Sequence, residues 1–480
     1  MSSTLQIKTR FKEADREVEQ PVSPTGQYFN SKKLSICVLG VLESEVPIHI
    51  DISGTMKLLQ DVFLPINSRF SSIMVHDKKG VKQWKRVKVD LQEHIHVPNV
   101  PDGLSMESYD DIFDKYLTKI AMEQMPQDRP LWELHLTKYP TSKAAGHCIF
   151  KLHHALGDGF SLMGALLSCL QRADDPSLPL TFPSLQPSSE PRNIPKAIPG
   201  CVPRTLSTIY NTTCDFSWSV LKSSLIADDK TPIRSNCGAV ELQPVRISTV
   251  ALSLDLIKQI KTELGATIND VLTGIVFLGT RLYMQATGKQ FGSSQSTALV
   301  LLNTRNINGY KSLDEMLKPD SRTKWGNQFA FLHVGLPELS DNLSSDPLEF
   351  ISEAQEIIHR NKNSLAVYLT GQSLDTIRKC KGSEAAAEYI HTTLKNSSMT
   401  VSNMIGPVEQ MSLANHPCKG LYFMVVGVPQ SLTITILSYM RTLRIAVGVE
   451  RGHIDVQKFN SCIEHAFQLI YKAAMKGARV

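Results

Sequence analysis

The most sharply patterned stretch of this chain lies between residues 147 and 170. His147-Cys148-Ile149-Phe150-Lys151-Leu152-His153-His154 reads as a buried strand, and Phe160-Ser161-Leu162-Met163-Gly164-Ala165-Leu166-Leu167-Ser168-Cys169-Leu170 has helical spacing. Side chains alternate faces along a strand, so His154 shares a face with Leu152, Phe150 and Cys148, while His153 points the other way beside Lys151 and Ile149. The pattern predicts a strand-to-helix turn carrying His154, Gly157, Asp158 and Gly159. Glycine permits unusual backbone angles there, and a carboxylate can lock a tight turn.

Elsewhere the same reading predicts a strand over Leu34 to Leu39 and a helix through Thr55 to Phe63. From Asp174 to about Pro203 prolines recur at 176, 179, 183, 187, 191, 195, 199 and 203, which marks a linker. Leu206, Ile209, Tyr210, Thr213, Val220, Leu221 and Leu225 then recur near helical spacing, with Arg204, Asp215 and Lys222 interrupting any apolar run. This amphipathic segment would lie at a membrane interface or pack across two halves of the molecule, and both readings stay open. A strand is expected from about Ala239, a helix after Thr267-Ile268-Asn269-Asp270, and a last helix from Val456 to Ala474. Leu421 to Met440 carries no charge and is long enough to cross a bilayer. Pro429-Gln430-Ser431 divides it, however, into β-branched runs at 422–428 and 432–437, so it is read as two buried strands with a third at 443–449.

These elements, without an internal repeat, suggest a mixed α/β or α+β architecture. The expected division is a polar tail at 1–20, an N-terminal sub-domain at 21–175, a linker with the amphipathic helix at 176–238, and a C-terminal sub-domain at 239–480. A chain of 480 residues accommodates two domains, and 42% hydrophobic with 20% charged residues describes a globular protein. Net charge is +5, without a dense basic tract or an aromatic-basic stripe, which argues against nucleic acid as a partner. Such a surface would still favour phosphate-bearing ligands and anionic membranes, with ordinary solvated charge as the default explanation. The nine cysteines include no Cys-x-x-Cys pair, and Met1 to Val22 has no apolar signal core, which reads as a reducing, cytosolic setting.

His154 is the candidate base. A neutral imidazole can take a proton from a bound hydroxyl because its unperturbed pKa lies near neutrality. A His-x-x-x-Asp spacing can also be purely structural. A metal site of His153, His154 and Asp158 is disfavoured, because the two histidines face opposite ways and no further ligand cluster lies nearby. No Gly-x-Ser-x-Gly elbow supports a serine nucleophile.

The histidine motif resembles that of the coenzyme-A-dependent acyltransferase superfamily, and other segments narrow the resemblance to the plant wax ester synthase/diacylglycerol acyltransferase family. Those segments are Pro21-Val22-Ser23-Pro24, Arg69-Phe70-Ser71-Ser72, Pro130 to Leu136, His153 to Gly159, Thr267 to Leu272, Asn303-Thr304-Arg305, Trp325-Gly326-Asn327 and Ser402 to Pro407, in the family's order. The Asp-Phe-Gly-Trp-Gly of plant alcohol and amine acyltransferases is missing.

The resemblance implies two chloramphenicol-acetyltransferase-like sub-domains joined by a crossover linker, with a central channel between them. Acyl-CoA would be the co-substrate, no cofactor would be permanently bound, and no metal would be needed. The acceptor would be a long-chain fatty alcohol, diacylglycerol, or both. His154 would be the proton acceptor. His153, Asp158 and Gly159 would support the motif, with Arg305 as the candidate partner of Asp158. Asn269, Asn303 and Asn403 are candidates for binding substrate or the oxyanion. The expected location is the cytosolic face of the endoplasmic reticulum membrane, with the cell membrane as a second candidate. An acyltransferase of a small alcohol or amine, and a non-catalytic acyl-CoA or lipid-binding homologue, are the rival readings.

Overall fold

The computed structural model describes residues 20–49, 52–78, 80–181, 212, 216–235, 237–238, 240–303, 325–339, 346–362 and 366–477. The N-terminal tail, most of the proline-rich linker and Arg305 lie outside the described residues.

Two large sheets organise the fold. The first runs in the order Ile95–His96, Trp132–Thr137, Gly146–His153, Cys37–Ser44, His416–Val426, Met411–Leu413, Gln171–Arg172. The second runs Phe329–Gly335, Thr297–Asn303, Met399–Ile405, Leu432–Tyr439, Thr442–Glu450, Val245–Ser253. Both mix parallel and antiparallel pairs, and helices cover them. The protein is therefore a mixed α/β structure.

Every residue of Cys37–Ser44 and Gly146–His153 is buried, as expected for central strands covered on both faces. The helix Gly159–Ser168 is buried at eight of its ten positions. In the second core, the helix Ile268–Thr287 starts with a capping box in which Thr267 and Asp270 satisfy each other's backbone N–H groups.

Three expectations change. The strand expected from Leu34 begins only at Cys37, because Asn30 and Ser35 bridge across a tight loop first. The strand expected from Ala239 begins at Val245, after a short 3-10 turn at Val240–Leu242 and Pro244, whose ring nitrogen has no N–H to give a ladder. The third concerns the strands at 422–449, which the sequence grouped with a C-terminal unit at 239–480. His416–Val426 leaves that unit and pairs antiparallel with Cys37–Ser44, with Leu421 opposite Leu42 and Val426 opposite Cys37. Leu432–Tyr439 and Thr442–Glu450 stay in the second sheet. Pro429-Gln430-Ser431 thus marks the passage from one sheet to the other, not a turn between paired strands. Two β-branched runs carry no local signal of which sheet each will join.

One ion pair spans the two sheets. Arg444, in Thr442–Glu450, makes a two-pronged contact with the buried Glu43 of Cys37–Ser44, at 3.2 and 3.0 Å, and reaches Thr249 Oγ1 at 3.2 Å. Removing one partner of a buried pair strands the other charge. Arg444→Met is therefore expected to cost about 3–5 kcal/mol, read from urea unfolding. The double change Arg444→Met with Glu43→Leu should recover part of that loss, and an Arg444→Met protein as stable as the parent would show the pair to be idle.

Candidate functional site

The histidine strand ends at His153, and His154 opens the turn while its N–H still bonds to the Ile36 carbonyl at 2.9 Å. His154 follows the face of Phe150 and Leu152 and lines, with them, a recess of about 110 Å³. Asp158, Gly159, Gln328 and Asn403 complete much of its wall. His154 is 5% exposed, and its imidazole packs against the rings of Phe29 and Phe329, with centroids 4.9 and 5.5 Å away.

A segment from the other half of the chain locks this turn. Trp325 Nε1 donates to the Leu156 carbonyl at 2.8 Å, and Arg69 Nη1 donates to the same carbonyl at 2.9 Å. Ser161 Oγ donates to the Gly326 carbonyl and accepts from the Gly326 N–H, both at 3.2 Å. Gly326 has φ +128°, a backbone angle that side-chain-bearing residues rarely adopt. Asp158 uses both carboxylate oxygens: Oδ1 caps the helix at the Ser161 N–H, 3.1 Å away, and Oδ2 accepts from the Gln328 N–H at 2.8 Å. Gly159 packs closely under Met404: a Cβ there would lie 2.8 Å from Met404 Sδ, and that flexible side chain would have to shift.

Asn327 fixes the imidazole. Its Nδ2 donates to the His154 carbonyl at 2.9 Å, which turns Oδ1 toward His154 Nδ1, also at 2.9 Å. The ring proton therefore sits on Nδ1 and the lone pair on Nε2. Burial lowers the pKa of His154 below its ordinary value, opposed by the charge of Asp158 and by the hydrogen bonds the ring makes, so the neutral base prevails at neutral pH.

His153 lies on the opposite face, as alternation predicts. Its Nδ1 accepts from the Ala155 N–H at 3.1 Å and its Nε2 faces Ser35 Oγ at 3.3 Å. Burial, with His154, Lys82 and Lys151 nearby, lowers its pKa to about 3. Both nitrogens are thus engaged in holding the turn.

Of the asparagine candidates, Asn403 lines the recess and donates from Nδ2 to Asn269 Oδ1 at 2.5 Å. Asn303 ends its strand opposite Phe329, and its side chain, like the whole of Arg305, lies outside the described residues. The structure adds Asn327, Gln328, Ser161 and Phe29. Trp325-Gly326-Asn327 was visible as a family segment, but nothing local in the sequence ties Asn327 to His154.

A second polar group, His96, Glu133 and His135, brings ligand-type atoms within 4.8 Å of one another. It lies on the other face of the first sheet, because Glu133 and His135 alternate with the Leu134 that shares the side of Phe150. Lys151 Nζ and Arg129 Nη2 already stand 3.7 and 3.6 Å from the Glu133 carboxylate. Burial would raise the Glu133 pKa, but the hydrogen bond from His135 and the charge of Lys151 outweigh it and hold the group at about 2. Resident cations neutralise this carboxylate, so the group is an ion-pair network.

Two family models match the chain. The wax ester synthase/diacylglycerol acyltransferase catalytic domain matches residues 65–272, and the WS/DGAT C-terminal domain matches residues 325–471. The Arabidopsis thaliana protein named wax ester synthase/diacylglycerol acyltransferase 11 is 30% identical, covering 95% of this chain and 96% of its own. Number 4 of the same plant is 29% identical, covering 91% and 86%. Among solved structures, the wax ester synthase/diacylglycerol acyltransferase from Marinobacter aquaeolei VT8 superimposes with a TM-score of 0.57 at 14% identity, over 95% of this chain and 100% of that one.

The two-oxygen grip of Asp158 generates a test. In Asp158→Asn one backbone N–H would face the amide nitrogen instead of an acceptor, so the variant should lose about 1–3 kcal/mol in denaturant unfolding together with activity. Normal stability with a displaced pH–rate profile would instead mean that the carboxylate takes part in proton transfer.

Proposed function

Since this chain belongs to the wax ester synthase/diacylglycerol acyltransferase family, we propose that His154 is the general base of its reaction and that the acceptor is a long-chain alcohol, diacylglycerol, or both. The protein is an acyltransferase and acyl-CoA is its acyl donor. The observation that carries the base assignment is the Asn327 bridge, which leaves the Nε2 lone pair on a neutral ring lining the recess.

In the proposed mechanism Nε2 removes the acceptor's hydroxyl proton as its oxygen attacks the thioester carbonyl. The tetrahedral oxyanion needs a donor. Asn403, which lines the recess and keeps a second amide N–H beyond the one given to Asn269, is the candidate. The imidazolium then returns the proton to the departing CoA thiolate, and no acyl-enzyme forms. Asp158 and His153 shape the turn, and Arg305 is retained as a further candidate partner of Asp158. Small alcohols and amines are the rival acceptors, to be compared in one substrate panel with purified protein.

We further infer that the protein works at a lipid surface, on the cytosolic side of the endoplasmic reticulum. Among the described residues no helix is long and apolar enough to cross a membrane. Residues 216–224 form a helix, and Trp218, Leu221 and Leu225 stand exposed on and just after it. An interfacial aromatic and aliphatic edge of this kind suits peripheral association. Changing all three to serine should lower co-sedimentation with phospholipid vesicles several-fold, and unchanged partition would remove this edge from the membrane reading.

General-base catalysis contributes about 10²- to 10⁴-fold, so folded His154→Ala should lose turnover with palmitoyl-CoA and hexadecanol by that order. His153→Gln should lose less. Because the His154 pKa is lowered, the acid limb of kcat/KM in the wild type should lie below about pH 6.5, the value of a free histidine. Near-normal turnover of His154→Ala, or greater damage from His153→Gln, would overturn the assignment.

A further inference from the structure

The wall of the recess beside His154 is mostly apolar, and the polar side chains in it are those of His154, Asp158, Gln328, Ser402 and Asn403. Protein contacts already occupy three of them. His154 gives Nδ1 to Asn327 and keeps Nε2 for the proton. Asp158 spends its two oxygens on the N–H groups of Ser161 and Gln328, and Asn403 holds Asn269. The Gln328 amide and the Ser402 hydroxyl stand apart, because neither has a hydrogen-bond partner among the described residues. Polar groups facing an apolar space are paired as a rule, so an idle amide beside a reacting centre points to a ligand that pairs it.

Gln328 is the better placed of the two. Its backbone N–H is clamped on Asp158 Oδ2 at 2.8 Å, so the side chain swings from a fixed point. Its chain neighbours are Asn327, which bonds the imidazole at 2.9 Å, and Phe329, whose ring centroid lies 5.5 Å from that of His154. The amide is therefore rooted within one residue of two groups in contact with the base. A primary amide also offers two N–H donors on a flexible arm, whereas the serine hydroxyl offers one on a short arm.

The two acceptor classes differ in what they ask of such a donor. An alkanol brings only the hydroxyl that His154 deprotonates. A diacylglycerol also brings two ester carbonyls on the neighbouring glycerol carbons, and these accept hydrogen bonds without donating any. Moving a carbonyl from water to an apolar wall with no donor is strongly disfavoured. We propose that the Gln328 side chain donates to a glyceryl ester carbonyl and is the residue that favours diacylglycerol over a simple alkanol as acceptor. This rests on the acyl-transfer reading above and adds how that one base is offered one class of alcohol rather than the other. Asn403 is left to the thioester oxygen, so the two amides serve different substrates.

Gln328→Met keeps the length of the side chain and removes both donors, while Gln328→Glu keeps its shape and replaces them with acceptors, so one remains if the other misfolds. Neither change touches the backbone N–H that Asp158 holds. With palmitoyl-CoA as donor, kcat/KM is compared for dioleoylglycerol, for the matching dioleyl diether of glycerol, which has no carbonyls, and for hexadecanol. The diester is expected to lose at least about fivefold more than the diether and the alkanol. Equal losses for all three acceptors, or no loss, in variants that melt like the wild type, would overturn the proposal, as would a wild type that esterified hexadecanol but not dioleoylglycerol. Equilibrium binding of the diester and the diether in detergent micelles separates this reading from the one beneath it. A wild type that turned over no acceptor would sink the transfer reading, while diester binding weakened in Gln328→Met relative to diether binding would still uphold the contact, and the same preference in both proteins would overturn it.

Discussion

The docking of Trp325 to Gln328 onto the histidine turn is the contact from which the rest of this site follows. A strand-to-helix turn with two glycines has many accessible backbone conformations, and its His154 ring has two nitrogens that could carry the proton. The docked segment removes both freedoms. Trp325 and Arg69 hold the Leu156 carbonyl, Asp158 and Ser161 bind the backbone of residues 326 and 328, and Asn327 sets the tautomer. Because the turn and the segment come from opposite halves of the chain, the site exists only when the halves are assembled.

Assembly of the halves is enforced elsewhere by the same logic. His416–Val426 leaves the second half to join the first sheet, so the two cores cannot separate without breaking a strand ladder. The Glu43–Arg444 pair lies beside that crossing, and its cost of burial is offset only with both partners present. Strand exchange gives the recess a wall that neither half could provide: Phe423 and Val425 arrive on the exchanged strand, next to Val38 and Gly40.

Electrostatics divides the two adjacent histidines by role. Both are buried, which disfavours the imidazolium in each. His153 spends both ring nitrogens on the turn, whereas His154 spends only Nδ1 and lies beside a carboxylate that moderates its loss of basicity. One ring is held at both nitrogens and the other at Nδ1 alone, although they are neighbours in sequence.

Much of this was legible in the residues alone. Period-two alternation put His153 and His154 on opposite faces, Thr267 and Asp270 announced a helix start, and Pro429 argued against a membrane span, because each of these rests on interactions within a few residues. The histidine turn with Asp158 was legible for the same reason. Local pattern could not say which sheet the run at 416–426 joins, since an apolar strand fits any apolar neighbour and only the competing pairings decide. Nor could it find Asn327, Gln328 or the recess beside His154. A hydrogen bond across 173 positions of chain leaves no spacing to read, and an empty volume belongs to the packing of several elements. The sequence by itself determined the elements and the chemistry offered at His154. Only the tertiary structure decided which nitrogen of His154 faces Asn327, what holds the turn rigid, and where the recess lies, because those are properties of distances between segments far apart in the chain.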